Sequence, residues 1–165
     1  MKGVSQMKKL LIFVLVLCLP VALLCGCGAN RTDNSVPEID LGAFMEDLMG
    51  RYELGNVEAV DQELMEAFYP GLPEVAAQQC IVYMPLITGV VSEYAFLQCA
   101  DKDAAAQAAE ILQARLDAQA NGGAWYPEAM ENWAKAKVIT EGNYVALIAA
   151  GDDTDSIAAD FEKLF

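Results

Sequence analysis

This 165-residue chain contains no histidine. Its candidate acid, base and nucleophile side chains are therefore limited to carboxylates, four serines and five cysteines. Histidine is the usual general base at neutral pH, the usual partner of a nucleophilic serine or cysteine, and the commonest zinc ligand. The serines are Ser5, Ser35, Ser92 and Ser156, and none lies in a glycine-flanked nucleophile elbow. No phosphate-binding loop or dinucleotide fingerprint occurs either. We therefore predict no catalytic, metal-binding or cofactor-binding residues, and a protein that is not an enzyme.

Carboxylates remain the one abundant reactive group. A pair of them could hydrolyse a glycoside, and 23 acidic residues follow Asp33, but their spacing singles out no pair. Asp152, Asp153 and Asp155 could supply oxygen ligands to calcium, although the run lacks the full loop, with interior glycine and terminal glutamate, that would make a calcium site specific. Negative charge that caps the N-terminus of the last helix explains the same residues, and we favour that interpretation.

The amino terminus has the pattern of a secretory signal. Lys2, Lys8 and Lys9 precede fifteen uncharged, mostly apolar residues, which run from Leu10 to Leu24. A basic start followed by 7–15 apolar residues is typical of such a signal, whereas a membrane-spanning helix needs about 20. The alternative, an uncleaved membrane anchor, is disfavoured by the length of the run.

The end of this run resembles the lipobox of bacterial lipoproteins. In Leu24-Cys25-Gly26-Cys27, as in the lipobox, an aliphatic residue, a small residue and a glycine precede the cysteine. The resemblance implies that residues 1–26 are a signal peptide, that cleavage occurs before Cys27, and that Cys27 carries a diacylglycerol thioether. Two or more acyl chains would anchor the protein stably on the outer face of the cell membrane. The small and polar residues of 27–38 predict a flexible tether, and residues 39–165 a single domain.

The charge of the chain excludes some partners. Removal of residues 1–26 leaves 139 residues and takes away three lysines, so the formal charge falls from −14 to −17. A surface this negative repels the phosphates of nucleic acids and the headgroups of anionic lipids. We therefore expect no nucleic acid partner, and contact with the membrane through the lipid on Cys27 alone. Solubility is the simplest role of such acidity.

Hydrophobic periodicity predicts eight elements in residues 39–165, in the order α-α-β-β-α-β-β-α. Strands grouped in hairpins, with helices between them, indicate an α+β domain: a mostly antiparallel four-stranded sheet with helices packed on one face. The predicted helices are 40–49, 61–68, 101–118 and a last one after Thr154, and the predicted strands are 80–84, 90–100, 138–140 and 144–150, with a loop and a helical turn at 125–133.

Cys80 and Cys99 are the cysteines that follow the predicted anchor. If the first two strands pair around a turn near Gly89-Val90, these two residues fall opposite each other, and an exported protein permits a disulfide between them. Free cysteines fill a core equally well as small apolar side chains. Both interpretations remain open.

Trp125, Tyr126 and Trp133 form an aromatic cluster beside two glycines. The functional interpretation is a stacking platform for a sugar ring, such as that of a cell-wall glycan. The structural interpretation, in which the large side chains pack over the sheet and anchor a loop, is the one that we favour.

Three segments together resemble an uncharacterised family of small lipoproteins, a domain of unknown function that is typical of anaerobic Gram-positive bacteria. The segments are 83–93 (YMPLITGVVSE), 122–128 (GGAWYPE) and 142–145 (GNYV), and the resemblance extends from about residue 39 to the end. It implies an extracytoplasmic lipoprotein and no known activity. An anaerobic host would favour free thiols at Cys80 and Cys99.

Three functions are compatible with this sequence. The first is a non-enzymatic binding or accessory module of the cell envelope, which contacts an envelope protein, a peptide or a small ligand. The second is a carboxylate-based hydrolase of cell-wall glycan, and the third is a purely structural envelope lipoprotein. A deep cleft with two facing carboxylates and an aromatic floor would favour the hydrolase, whereas an exposed apolar patch would favour the binding module.

Overall fold

A computed structural model describes residues 39–87 and 89–165. The predicted signal peptide, Cys27 and the tether lie outside these residues. Within the described ranges, no helix is both long enough and apolar enough to cross a membrane.

The domain has five α-helices and five strands in the described ranges, together with short 3₁₀ helices and one π-helical turn. The helices are α1 (Leu41–Arg51), α2 (Gln62–Phe68), α3 (Lys102–Ala118), α4 (Pro127–Trp133) and α5 (Thr154–Glu162), and the strands are β1 (Val57–Ala59), β2 (Ala77–Pro85), β3 (Glu93–Cys99), β4 (Lys137–Glu141) and β5 (Tyr144–Ala149). The α+β class predicted from the sequence is confirmed.

The strands form one antiparallel sheet in the order β1-β2-β3-β5-β4. The central strands β3 and β5 are buried along their whole length. The Gly142-Asn143 turn joins β4 to β5, and Gly142 adopts a positive φ of 63° there. The two central strands therefore form a rigid platform on which the surrounding elements are placed.

The prediction of four strands is wrong, because β1 is a fifth. This strand has three residues, too few to show an alternation of apolar and polar side chains in the sequence. Its conformation comes from pairing with β2, in which Glu58 lies opposite Met84. A strand that depends on tertiary pairing leaves little signal in the sequence.

The prediction that helices pack on one face of the sheet is also wrong, because they pack on both. Tyr94 and Phe96 of β3 face a layer made by α1 and α5, whereas Ala95, Leu97 and Cys99 face a layer that includes α3. The sheet is apolar on both faces at its centre, so each face needs a cover. The chain folds as three layers, helix–sheet–helix.

Aspartate side chains begin three of the helices. Asp40, Asp61 and Asp101 each accept a hydrogen bond from the backbone N–H three residues further on, at 2.9–3.0 Å. These are the positions at which the sequence predicts helix starts. The caps fix where α2 and α3 begin, and these two helices supply much of the site described below.

The α1–α5 layer is tied together by an ionic contact. Asp160 of α5 accepts hydrogen bonds from Arg51 at 2.5 Å and from the Tyr52 hydroxyl at 2.7 Å, and Lys163 lies at 2.9 Å. Lys163, Tyr52 and Arg51 together hold the pKa of Asp160 well below its usual range. The first and last helices of the domain are thus joined across the rim of their layer.

Candidate functional site

A groove of about 820 Å³ opens on the face of the sheet that α3 and α4 cover. It lies between the β1 edge, α2, the loop that precedes β3, and the turn that leads into α4. Its walls are mostly apolar. The residues that line it include Glu58, Val60, Leu64, Phe68, Leu86, Val90, Glu93, Arg115, Trp125, Tyr126 and Trp133.

The floor of the groove holds a buried ion pair. Arg115 donates from Nε and Nη2 to the two carboxylate oxygens of Glu93, both at 2.9 Å, and the Tyr69 hydroxyl donates to Glu93 Oε1. Glu93 is 2% exposed. A buried carboxylate is costly unless it is paired and hydrogen-bonded, and here each oxygen has a partner. Both carboxylate oxygens are therefore occupied by donors from the protein, and the Glu93–Arg115 pair is electrically neutral.

Burial and this pairing shift two pKa values on the floor. Burial raises the pKa of Tyr69 well above its usual value, and the charge of Glu93 adds to the effect. Burial alone would lower the pKa of Arg115, but hydrogen bonding and the charge of Glu93 outweigh it and leave this pKa raised. Tyr69 therefore stays a neutral hydroxyl and Arg115 a cation at neutral pH.

Three separate elements bring the floor together. Glu93 is the first residue of β3, Arg115 lies in the last turn of α3, and Tyr69 directly follows α2. Alanines at 104, 105 and 108 let α3 approach the sheet closely. The Arg115 guanidinium lies 5.2 Å from the ring centroid of Phe68 and 5.6 Å from that of Trp133. The cation is thus enclosed by aromatic rings as well as by Glu93.

The three aromatic residues singled out in the sequence all line this groove, but their exposures differ sharply. Trp133 is 4% exposed and packs in the core below the groove, as the structural interpretation expects. Trp125 is 94% exposed and Tyr126 is more than half exposed. The interpretation in which all three pack over the sheet is therefore wrong for Trp125 and Tyr126, which stand at the mouth.

Further apolar side chains at the mouth were missed by sequence reasoning. Leu64 and Phe68 are spaced as on the buried side of a helix, yet both are exposed in the groove wall, as are Leu86 and Val90. Helical spacing cannot tell a side that meets the sheet from one that lines an open groove. Proline and glycine in the 85–90 segment were the only signal of an irregular loop there.

Gly89 allows this loop to approach the turn before α4. It has a φ of 108°, and an added Cβ would lie 3.2 Å from the Tyr126 ring. A side chain at this position would be strained by the backbone conformation and would also press on Tyr126. The glycine therefore keeps the two sides of the mouth in contact.

The cysteines are not placed as the sequence predicts. A register shift between Ala77 and Gln79 sets Cys80 opposite Leu97 and Cys99 opposite Ala77, so the two cysteines are diagonal rather than direct neighbours. Both are free thiols; Cys99 is buried, whereas Cys80 is exposed at the surface of the sheet. Cys80 contacts the Met65 sulfur at 3.7 Å. Cys99 therefore packs in the core of the α3 layer, whereas Cys80 lies at the surface beside Met65.

Two aspartates near the start of α5, Asp152 and Asp155, bind lysines. Asp152 pairs with Lys135 at 2.7 Å and Asp155 with Lys137 at 2.6 Å, both at the surface. Asp153 is the N-cap residue of α5 and Asp155 lies in its first turn, which places negative charge at the helix N-terminus as the sequence predicts, although the Asp153 side chain accepts no capping hydrogen bond. Among the described residues, no cluster of three potential metal ligands occurs.

The fold and the site define a small three-layer α+β domain with an open, apolar-walled groove and a neutral buried ion pair on its floor. The chain matches the domain of unknown function DUF4358 over residues 51–150 and belongs to that family. The predicted membership of an uncharacterised domain family is thereby confirmed. The matched range holds every groove residue and omits α5 and nearly all of α1. No curated protein and no solved structure matches the chain.

Proposed function

We propose that this protein is a non-enzymatic binding module of the cell envelope, held at the outer face of the membrane by lipid on Cys27, and that its groove receives an apolar ligand. One observation carries the proposal: six of the nine large exposed apolar side chains in the described residues converge on a single concave surface. Leu64, Phe68, Leu86, Val90, Trp125 and Tyr126 all line the groove and are 41–94% exposed. Apolar patches of this kind on soluble domains mark binding surfaces.

The chemistry of the floor supports binding rather than hydrolysis. Glu58 and Glu93 both line the groove, and a glycosidase needs two carboxylates with separate roles. Both oxygens of Glu93, however, are occupied by Arg115 and Tyr69. Glu58 is left as the one carboxylate at the groove without a bonded partner in the described part of the chain. A cell-wall hydrolase is the alternative, and a purely structural lipoprotein would leave the groove without a role.

The location is tested by the intact mass of the protein recovered from its native membrane, with a Cys27→Ala variant alongside. We expect residues 27–165 with two or three acyl chains, and a variant that is released or left uncleaved. Retention of residues 1–26 without lipid would contradict the anchor and indicate a membrane helix instead.

The groove is tested by fluorine NMR, because the chain has only two tryptophans and both line the groove. We expect protein that carries 5-fluorotryptophan to give two resonances, which a Trp125→Phe variant assigns. Octyl glucoside below its micellar concentration and a blocked leucine-phenylalanine dipeptide should shift the Trp125 resonance, whereas chitotriose should neither shift it nor be cleaved.

Two matched variants locate the binding. Phe68→Ser removes a groove wall and should weaken the shift, whereas Met49→Ser removes an exposed apolar side chain outside the groove and should leave it unchanged. An unmoved Trp125 resonance with both apolar probes would contradict the proposal. Cleavage of chitotriose that is lost in a Glu58→Gln variant would favour the hydrolase.

A further inference from the structure

The groove is bordered by a free sheet edge. Within the described residues β1 pairs only with β2, so its other side carries no strand. The bonds from Leu86 N to Asn56 O and from Val60 N to Val82 O fix the alternation of the ladder. In an antiparallel ladder the intervening residue Glu58 also faces β2, and the backbone N–H and C=O groups of Val57 and Ala59 point outward.

These outward groups lie beside the apolar walls. Glu58, Ala59 and Val60 themselves line the groove. A strand added to an edge lies about 4.8 Å away, with alternate side chains on the same face. Alternate side chains of such a strand would project on the Glu58 side, toward the wall made by Phe68 and Trp125. An edge that supplies backbone hydrogen bonds, next to a groove that accepts side chains, is the arrangement used in β-strand addition.

The charges around this edge are all negative. No lysine or arginine occurs between Arg51 and Lys102, a stretch that includes β1, α2, β2 and β3, whereas eight acidic residues do. Arg115 and Glu93 neutralise each other on the floor, and Glu58 is exposed at the rim. A cationic side chain is therefore the complement that the rim favours.

We infer that the occupant of the groove is an extended peptide that adds as a strand to the free edge of β1, places alternate apolar side chains in the groove, and carries lysine or arginine toward Glu58. This rests on the proposed function and names its ligand class. The other edge strand, β4, contributes no residue to the lining of the groove.

The test is a selection from a phage-displayed library of random heptapeptides on the full-length chain, with counter-selection on a Trp125→Ala variant. We expect enriched peptides to alternate apolar residues and to be basic. For a synthetic copy of the leading peptide, a Glu58→Lys variant should weaken binding about two- to fivefold, since exposed ion pairs contribute little. Glu53→Lys, a like change at another exposed carboxylate outside the groove lining, serves as the matched control and should have a smaller effect.

Backbone pairing is tested separately. N-methylation of the peptide amides in one alternate register should weaken binding about tenfold, because it removes hydrogen bonds to Val57 and Ala59, whereas methylation in the other register should be tolerated. Ala59→Pro removes an outward N–H without touching a β1–β2 bond and should have the same effect. The methylated peptides keep the test decisive if this variant fails to fold.

The outcomes separate the inference from the function. Equal loss in both methylation registers would overturn strand addition, and enrichment of acidic peptides would overturn the predicted cationic complement to Glu58. If no peptide is enriched while octyl glucoside still shifts the Trp125 resonance, the inference fails and the apolar binding module stands. If neither ligand class binds, both fail.

Discussion

Replacement of Arg115 by methionine is expected to lower the free energy of unfolding by about 3–5 kcal/mol, because it leaves the Glu93 carboxylate buried without its counter-charge. The Arg115 side chain is only 13% exposed and that of Glu93 only 3%, so little water can replace the guanidinium. The Tyr69 hydroxyl would remain as the one donor to Glu93. Urea unfolding followed by circular dichroism measures the change.

The matched control is the same substitution in an exposed ion pair. Arg51 pairs with Asp47 and Asp160 but its side chain is 42% exposed, so Arg51→Met should cost about 1 kcal/mol or less. A Glu93→Gln change added to Arg115→Met should recover part of the loss, because it removes the buried charge. If Arg115→Met costs no more than Arg51→Met, the floor of the groove is solvated and the description of a closed pair is wrong.

Much of the fold follows from local signals in the sequence. Asp40, Asp61 and Asp101 precede apolar periodic stretches, and each caps a helix as expected. The Gly142-Asn143 pair between two β-prone stretches gives the β4–β5 hairpin. These features depend on residues within a few positions of one another, which is why a single sequence reveals them.

The errors concern long-range arrangement. The segment 90–100 has apolar residues at both odd and even positions, which is typical of a strand inside a sheet, and such a strand requires a covering layer on each face. That second layer is made by α1 and α5, which are far apart in the sequence but packed together in the fold. No local pattern states that the first and last helices meet, and β1 depends on pairing with β2.

The groove likewise depends on contacts between residues far apart in the sequence, which local patterns do not reveal. Glu93 and Arg115 are 22 positions apart, and their pairing requires that α3 return across the sheet. Trp125 has a large, mostly apolar side chain of the kind usually found in a core. Its exposure results from the backbone conformation of the turn before α4. Residue type therefore suggested the aromatic cluster, but only the tertiary arrangement separates the buried Trp133 from the two exposed aromatics.

The second layer of helices leads to the last prediction. Phe161 of α5 is fully buried, and its ring centroid lies 5.7 Å from that of Phe96 on the sheet and 6.1 Å from that of Phe44 on α1. Phe161→Ala would leave a cavity at the junction of these three elements and should lower the free energy of unfolding by about 3–5 kcal/mol. Thermal or urea unfolding measures the loss.

Phe165→Ala is the matched control, because this residue contacts Phe161 and Tyr144 but is 52% exposed at the end of the chain. It leaves little cavity and should cost much less than Phe161→Ala. If the two variants were equally stable, α5 would contribute no more than a surface helix does, and the α1–α5 layer could not be the cover that the apolar sheet face requires. A large difference between them would instead show that the sheet supporting the groove depends on packing from its opposite face, since Phe96 and the groove-facing residues alternate along β3.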